Sequence, residues 1–170
     1  MRILPLLVLP GLISLVGCGG AAPPAQPSFY ISMADEGASV DAAAAASMIS
    51  GYRGNNGLSA VEVDSDLMRM AMEHAHAMAA KDKIERSAGR EFTGRLATAG
   101  FDGKDAVENV GAGYHTLAEA FSGWRDSPPH RANMLKGGVT RLGIAAVYAP
   151  QSKYKVFWAL IMAAKEERRG

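Results

Sequence analysis

The sequence predicts an α/β fold, a three-layer α-β-α sandwich with a small central antiparallel sheet. Three observations carry that expectation. Arg141 to Ala149 is apolar on both alternating sets, Leu142, Ile144 and Ala146 on one and Gly143, Ala145 and Val147 on the other. Tyr154 to Ala163 repeats the pattern, with Val156, Trp158 and Leu160 against Phe157, Ala159 and Ile161. Strands covered on both faces read this way. Between them Pro150-Gln151-Ser152-Lys153 has the length of an antiparallel hairpin link. The earlier chain supplies amphipathic helices, which must then lie on both sides of the sheet. Paired on both edges, the last strand is expected at the centre.

At 170 residues, 48% hydrophobic and 21% charged, the chain is long enough to bury a full core as one domain. Arg2 precedes an apolar run, Ile3 to Val16, too short for a membrane span and shaped like a signal peptide. Leu15-Val16-Gly17-Cys18 looks like a bacterial lipobox, and Cys18 is the only cysteine. Residues 1–17 are therefore read as a lipoprotein signal peptide and Cys18 as the lipidated residue that binds the membrane. Residues 18–38, rich in Gly, Ala, Pro, Ser and Gln, read as a flexible tether, 39–164 as the domain and 165–170 as a charged tail. Loss of Arg2 with the leader takes the formal net charge from +1 to zero, so nothing attracts nucleic acid. The expected location is the cell envelope outside the cytoplasm. Gly19 is not the aspartate that retains some lipoproteins in an inner membrane, so the outer membrane is expected where there are two.

In order along the domain, Asp41 or Ser39 can cap a helix reaching about Arg53, with Met48, Ile49 and Tyr52 inward. Gly54-Asn55-Asn56-Gly57 stops it. Asp64 caps a second helix, Ser65 to about Lys81, in which Leu67, Met70, Ala71, His74 and Met78 recur at three- and four-residue steps. His74 and His76 point apart and form no metal clip, and His74 reads as a hydrogen-bonded residue at the core edge. Glu91 to Ala99 can hold a short helix capped by Thr93 and ended by Gly100. Glu108 to Gly113 is too rich in glycine for a helix and reads as a short strand or extended turn. Thr116 and Glu119 form a capping box that opens a helix burying Leu117, Phe121 and Trp124. Ser127 then reads as an N-cap and Pro128 as the first residue of a short helix with His130 in its first turn.

Several motifs together resemble the bacterial SCP-like branch of the CAP superfamily (cysteine-rich secretory proteins, antigen 5 and pathogenesis-related 1 proteins). They are Ile49-Ser50-Gly51-Tyr52-Arg53 with Gly57-Leu58, the His74 to Ala79 helix, Arg95-Leu96 with Ala99-Gly100-Phe101, and Glu108-Asn109-Val110-Gly111. The set closes with Trp124 to Leu135, holding Ser127-Pro128-Pro129-His130-Arg131-Ala132-Asn133, and with Leu142-Gly143. The match runs from Ala46 to Met162 in the right order. It implies an exported α-β-α sandwich with a cleft built from two histidines and two acidic residues, which bind zinc or another divalent ion in many members.

On that resemblance the cleft glutamate falls on Glu108 and the second histidine on His130, and Arg86, Asn109 and Ser127 join them as cleft residues. An imidazole and a carboxylate that converge can ligate a metal or hold a water for general-base work. Where relatives place the first histidine, the run Lys83-Ile84-Glu85-Arg86-Ser87 has an arginine, which only donates and cannot ligate. Glu85 or Glu91 can supply an oxygen instead. The expected arrangement is a bidentate Arg86 to Glu108 ion pair, with no cofactor, zinc being disfavoured by Arg86. Two functions follow: a binding or structural module for a small apolar, peptide or glycan ligand, or a hydrolase using His130, Glu108 and Ser127. The first is preferred, because no Gly-x-Ser-x-Gly turn, His-Glu-x-x-His helix or close carboxylate pair is readable.

Overall fold

The structure, a computed structural model, describes residues 26–87 and 89–165. The expected signal peptide, Cys18 and the end of the charged tail lie outside them. The described elements run α1 (Ala42–Gly54), β1 (Glu62–Val63), α2 (Ser65–Lys81), α3 (Gly89–Thr98), β2 (Phe101–Ala112), α4 (Leu117–Asp126), α5 (Pro128–Met134), β3 (Arg141–Ala149) and β4 (Lys155–Lys165). The four strands form one sheet in the order β1-β3-β4-β2. β4 is central, antiparallel to both neighbours, with Ile144 opposite Leu160 and Asn109 opposite Leu160 on the other side. The sheet is mixed rather than wholly antiparallel, since β1 pairs parallel with β3. A two-residue strand is too short for any period to announce it.

Strand alternation divides the core into two layers. Leu142, Ile144, Val156, Trp158, Leu160 and Met162 face one side, where they meet Ile49 of α1 and Leu117, Ala120 and Trp124 of α4. Ala145, Val147, Phe157, Ala159 and Ile161 face the other, against Leu67, Met70, Ala71, Ala75 and Met78 of α2 and Leu96 of α3. This is the three-layer sandwich that the doubly apolar strands require. At Gly143 the α2 layer comes so close that a Cβ would strike the backbone of Leu67 and Met68.

Helix starts follow their capping chemistry. The Asp41 carboxylate accepts from Ala44 N–H at 2.9 Å, and Asp64 Oδ1 from Asp66 N–H at 2.9 Å and Leu67 N–H at 3.3 Å. Thr116 and Glu119 close the capping box of α4. Thr93 is not a cap. It lies inside α3, its hydroxyl donating back to Gly89 O at 3.0 Å, so the helix begins earlier than expected. β2 is longer than the short strand expected, because its polar first half, interrupted by a register shift between Asp102 and Val107, still pairs with the end of β4.

The expected tether ends well before Ala38. Met33 is 3% exposed, packs with the α1 and α4 layer and donates its N–H to His115 O at 2.6 Å. One apolar side chain in a polar, glycine-rich run is enough to dock the segment. Arg53, at the end of α1, is fully buried. It donates to the carbonyls of Ser59 (2.9 Å), Met134 and Lys136 (2.8 Å each) and Val139 (3.3 Å). It therefore ties α1 to the end of α5 and the approach to β3.

Candidate functional site

β2 is the edge strand that carries the site, and its alternation decides which groups meet. Glu108 and Asn109 are consecutive, so their side chains leave opposite faces of the sheet. Glu108 is 8% exposed and lies on the α2 and α3 side. Its Oε2 accepts from Ser87 N–H at 2.8 Å and its Oε1 from Ser87 Oγ at 2.7 Å. His74 Nε2 stands 3.7 Å from Oε1 and 2.8 Å from Glu85 O. A carbonyl only accepts, so that nitrogen carries the proton, and Nδ1 faces Ser87 Oγ at 3.4 Å. Arg95 Nη2 donates to the same hydroxyl at 3.4 Å.

Ser87, His74, Glu85, Arg86, Glu91 and Arg95 line part of a cavity of about 220 Å3 between the end of α2 and α3. Glu108 backs this cavity through Ser87. On the other face Asn109, 1% exposed, donates from Nδ2 to His130 O at 2.9 Å, and its Oδ1 accepts from Asn133 Nδ2 at 2.9 Å. Asn133 also donates to Glu108 O at 3.0 Å. The two asparagines thus clamp α5 onto β2 and fix where His130 stands.

The expected bidentate ion pair is overturned. Among the described residues no hydrogen bond or ion pair joins Arg86 to Glu108, and Ser87 already takes both carboxylate oxygens. Arg86 is exposed, and its charge acts on His130 instead. Burial first, and the Arg86 charge second, hold the His130 imidazole below its ordinary value. The imidazole of His130 makes no bond to Glu108 among the described residues either, so the predicted pair is held apart. Ser127 occupies the N-cap position of α5, yet its side chain makes no capping bond. Its backbone serves two helices, with N–H to Gly123 O at 3.2 Å and carbonyl to Arg131 N–H at 2.8 Å. Glu85, proposed as a substitute ligand, is bound by Lys83 and Lys81, which pull its carboxyl below the usual range.

The model of the cysteine-rich secretory protein family, CAP, matches residues 46–162. The chain belongs to the CAP family. No curated protein sequence matches it. Among solved structures, this CAP domain is similar to a cysteine-rich secretory protein from Staphylococcus aureus subsp. aureus Mu50, at 20% identity and TM-score 0.58 over 72% of this chain and 38% of that one. An extracellular protein with an SCP domain from Bacillus anthracis str. Ames gives 22%, 0.59, 72% and 40%. An outer surface protein of Borrelia burgdorferi gives 16%, 0.61, 76% and 98%. The chain therefore spans about two fifths of the first two. At these identities the likeness speaks for the CAP fold.

Sequence reasoning placed Glu108 and Asn109 on the site strand and His130 in the first turn of its helix. It did not assign Ser87, the residue that engages Glu108. The signal is in the sequence, because Ser87 closes the Lys83 to Ser87 run that also holds Arg86.

Proposed function

We propose that this CAP domain is a lipid-tethered binding or structural module of the bacterial cell envelope, outside the cytoplasm, and that it works without zinc. The observation that carries the reading is the state of Glu108. Each of its oxygens accepts a hydrogen bond from Ser87, which takes up part of the carboxylate's acceptor capacity and holds it on the α2 and α3 side of the sheet as a structural acceptor. Arg86 adds a fixed positive charge near His130, which opposes a divalent cation there. The cavity beside them is small and polar, and the ligand is of the small apolar, peptide or glycan classes. Similar structures carry the names of outer surface and extracellular proteins. In this reading the anchor is lipid on Cys18, which the Leu15 to Cys18 run supports.

Calorimetric zinc titration tests the site. Wild type is expected to show no stoichiometric binding, Arg86→His to gain affinity, and the further change His130→Ala to remove the gain. Tight wild-type binding lost with His130→Ala would sink the reading and move a metal hydrolase to the front. Mass spectrometry of the mature N-terminus tests the anchor, and an unmodified first residue other than Cys18 would refute it.

A further inference from the structure

We propose that Tyr30 and Ile31 seat this domain on the surface of a lipid bilayer, with the α1 and α4 layer toward the membrane and the cavity beside α2 and α3 facing away from it. The proposal rests on the reading of Cys18 as the lipidated residue, and adds where the domain touches the membrane and how it is turned.

The segment that carries the two residues is tied down. Ser28–Tyr30 form a single 3-10 turn, with Tyr30 N–H donating to Pro27 O at 3.0 Å and Ile31 N–H to Ser28 O at 3.2 Å. Gln26 Nε2 donates to Tyr30 O at 3.0 Å. Phe29 before them and Met33 after them pack into the α1 and α4 layer. With both flanks docked, the side chains between are turned outward, Tyr30 52% and Ile31 47% exposed. They are the two most exposed of the large apolar side chains described, and the only two that are consecutive in the chain. A single apolar side chain on a surface needs no explanation, but a fixed adjacent pair asks what covers it.

The chain before the turn names the occupant. Tyr30 comes twelve residues after Cys18, a reach of at most about 40 Å fully extended. Lipid on Cys18 would hold the turn near the bilayer at an effective concentration of about millimolar, so contacts too weak to recruit the protein unaided suffice to seat it. The pair suits the boundary layer of a bilayer, since tyrosine joins an apolar ring to a polar tip and isoleucine is wholly apolar. Charge selects among lipids. Asp35 and Glu36 are exposed close behind the pair, and no lysine or arginine occurs between Gln26 and Tyr52. The seat therefore fits a lipid surface without net negative charge.

Orientation follows from the layers. Phe29 and Met33 belong to the α1 and α4 side of the sheet, whereas His74, Ser87 and Arg95 line the cavity beside α2 and α3. A domain resting on its first layer keeps that cavity open to the surrounding space, so a ligand arrives from there and not out of the bilayer.

The test uses the mature chain from Cys18 to Gly170, which holds every described residue and a single cysteine. Coupled through that thiol to a maleimide phospholipid in phosphatidylcholine vesicles, it carries a tether whether or not cells acylate it. Energy transfer from Trp124 and Trp158, both in the α1 and α4 layer, to a dansyl headgroup is the first readout. It should be at least about twofold greater for wild type than for Tyr30→Ser with Ile31→Ser. Replacing phosphatidylcholine with phosphatidylglycerol at low salt should reduce it. Hydroxyl-radical labelling, the second readout, should fall at Tyr30 and Ile31 on coupling and stay unchanged at Met72 and Ile84. Equal transfer from the serine variant, greater transfer on phosphatidylglycerol, or undiminished labelling of Tyr30 and Ile31 would overturn the seat. Protection of Met72 and Ile84 in their place would reverse the orientation and overturn it as well. Labelling of the uncoupled chain that falls as its concentration rises would assign the pair to a second copy. Intact mass of the protein recovered from cells decides acylation separately, and an unacylated Cys18 would refute that reading alone.

Discussion

Arg53 shows how much a single side chain can organise out of sight. A buried guanidinium with no carboxylate paired to it among the described residues is stable here because four carbonyls accept from it. Arg53→Met would leave those carbonyls without donors and should cost on the order of 3 kcal/mol or more in urea unfolding. Arg53→Lys should recover only part of this, since an ammonium lacks the planar fork. His130 gives a prediction in pH. Its value is lowered from 6.5, so the unfolded chain takes up a proton first. The stability linked to His130 is complete above about 6.5 and is lost as pH falls through the folded value. The urea midpoint should therefore decline less steeply with acid in His130→Gln than in wild type, and equal slopes would contradict the assignment. At this scale the sequence was legible where a residue's own backbone position decided its role, as for the caps Asp41, Asp64 and Thr116. It was not legible where the partner is distant, as for Ser87 and Glu108, 21 residues apart, or Arg53 and Val139, 86 apart.

Elements were readable in proportion to their hydrophobic period. α2 and the two strands β3 and β4 combine a strong period with clear ends, and the expected boundaries of α2 are those observed. α3 and β2 carry weaker patterns, and there tertiary pairing overrode the local reading. Trp158 illustrates what the central strand holds. It is fully buried, its Nε1 donates to Tyr114 O at 2.7 Å, and its ring meets Trp124 edge-on at 6.4 Å. Trp158→Ala should cost about 3–5 kcal/mol by denaturant unfolding. Gly143→Ala tests the opposite error, an added methyl where α2 rests on β3. Because the atoms in its way are backbone of Leu67 and Met68, relief requires moving a helix, and a loss of about 3 kcal/mol is expected. A Gly143→Ala protein as stable as wild type would show that the two layers can part at no cost.

For the molecule as a whole, the layer order was legible because strands apolar on both faces demand cover on both sides. The extent of the domain was less so, since Met33 belongs to the core yet sits in a stretch with the composition of a linker. Removing all residues before Ser39 should lower stability by about 2–5 kcal/mol, as expected for loss of a buried methionine, whereas trimming a true tether would change nothing. The place of β4 in the sheet has a consequence in time. β4 is both an inner strand, paired on each side, and the last of these elements to be synthesised, so a nascent chain that has produced every described helix still lacks part of the surface on which both core layers close. Its pairing with β2 reaches back some fifty residues, from Leu160 to Asn109, a contact whose loop closure must precede its reward. Ribosome-bound chains arrested before Lys155 should accordingly remain as protease-sensitive as the unfolded protein, and resistance should arrive in one step once the final strand is free.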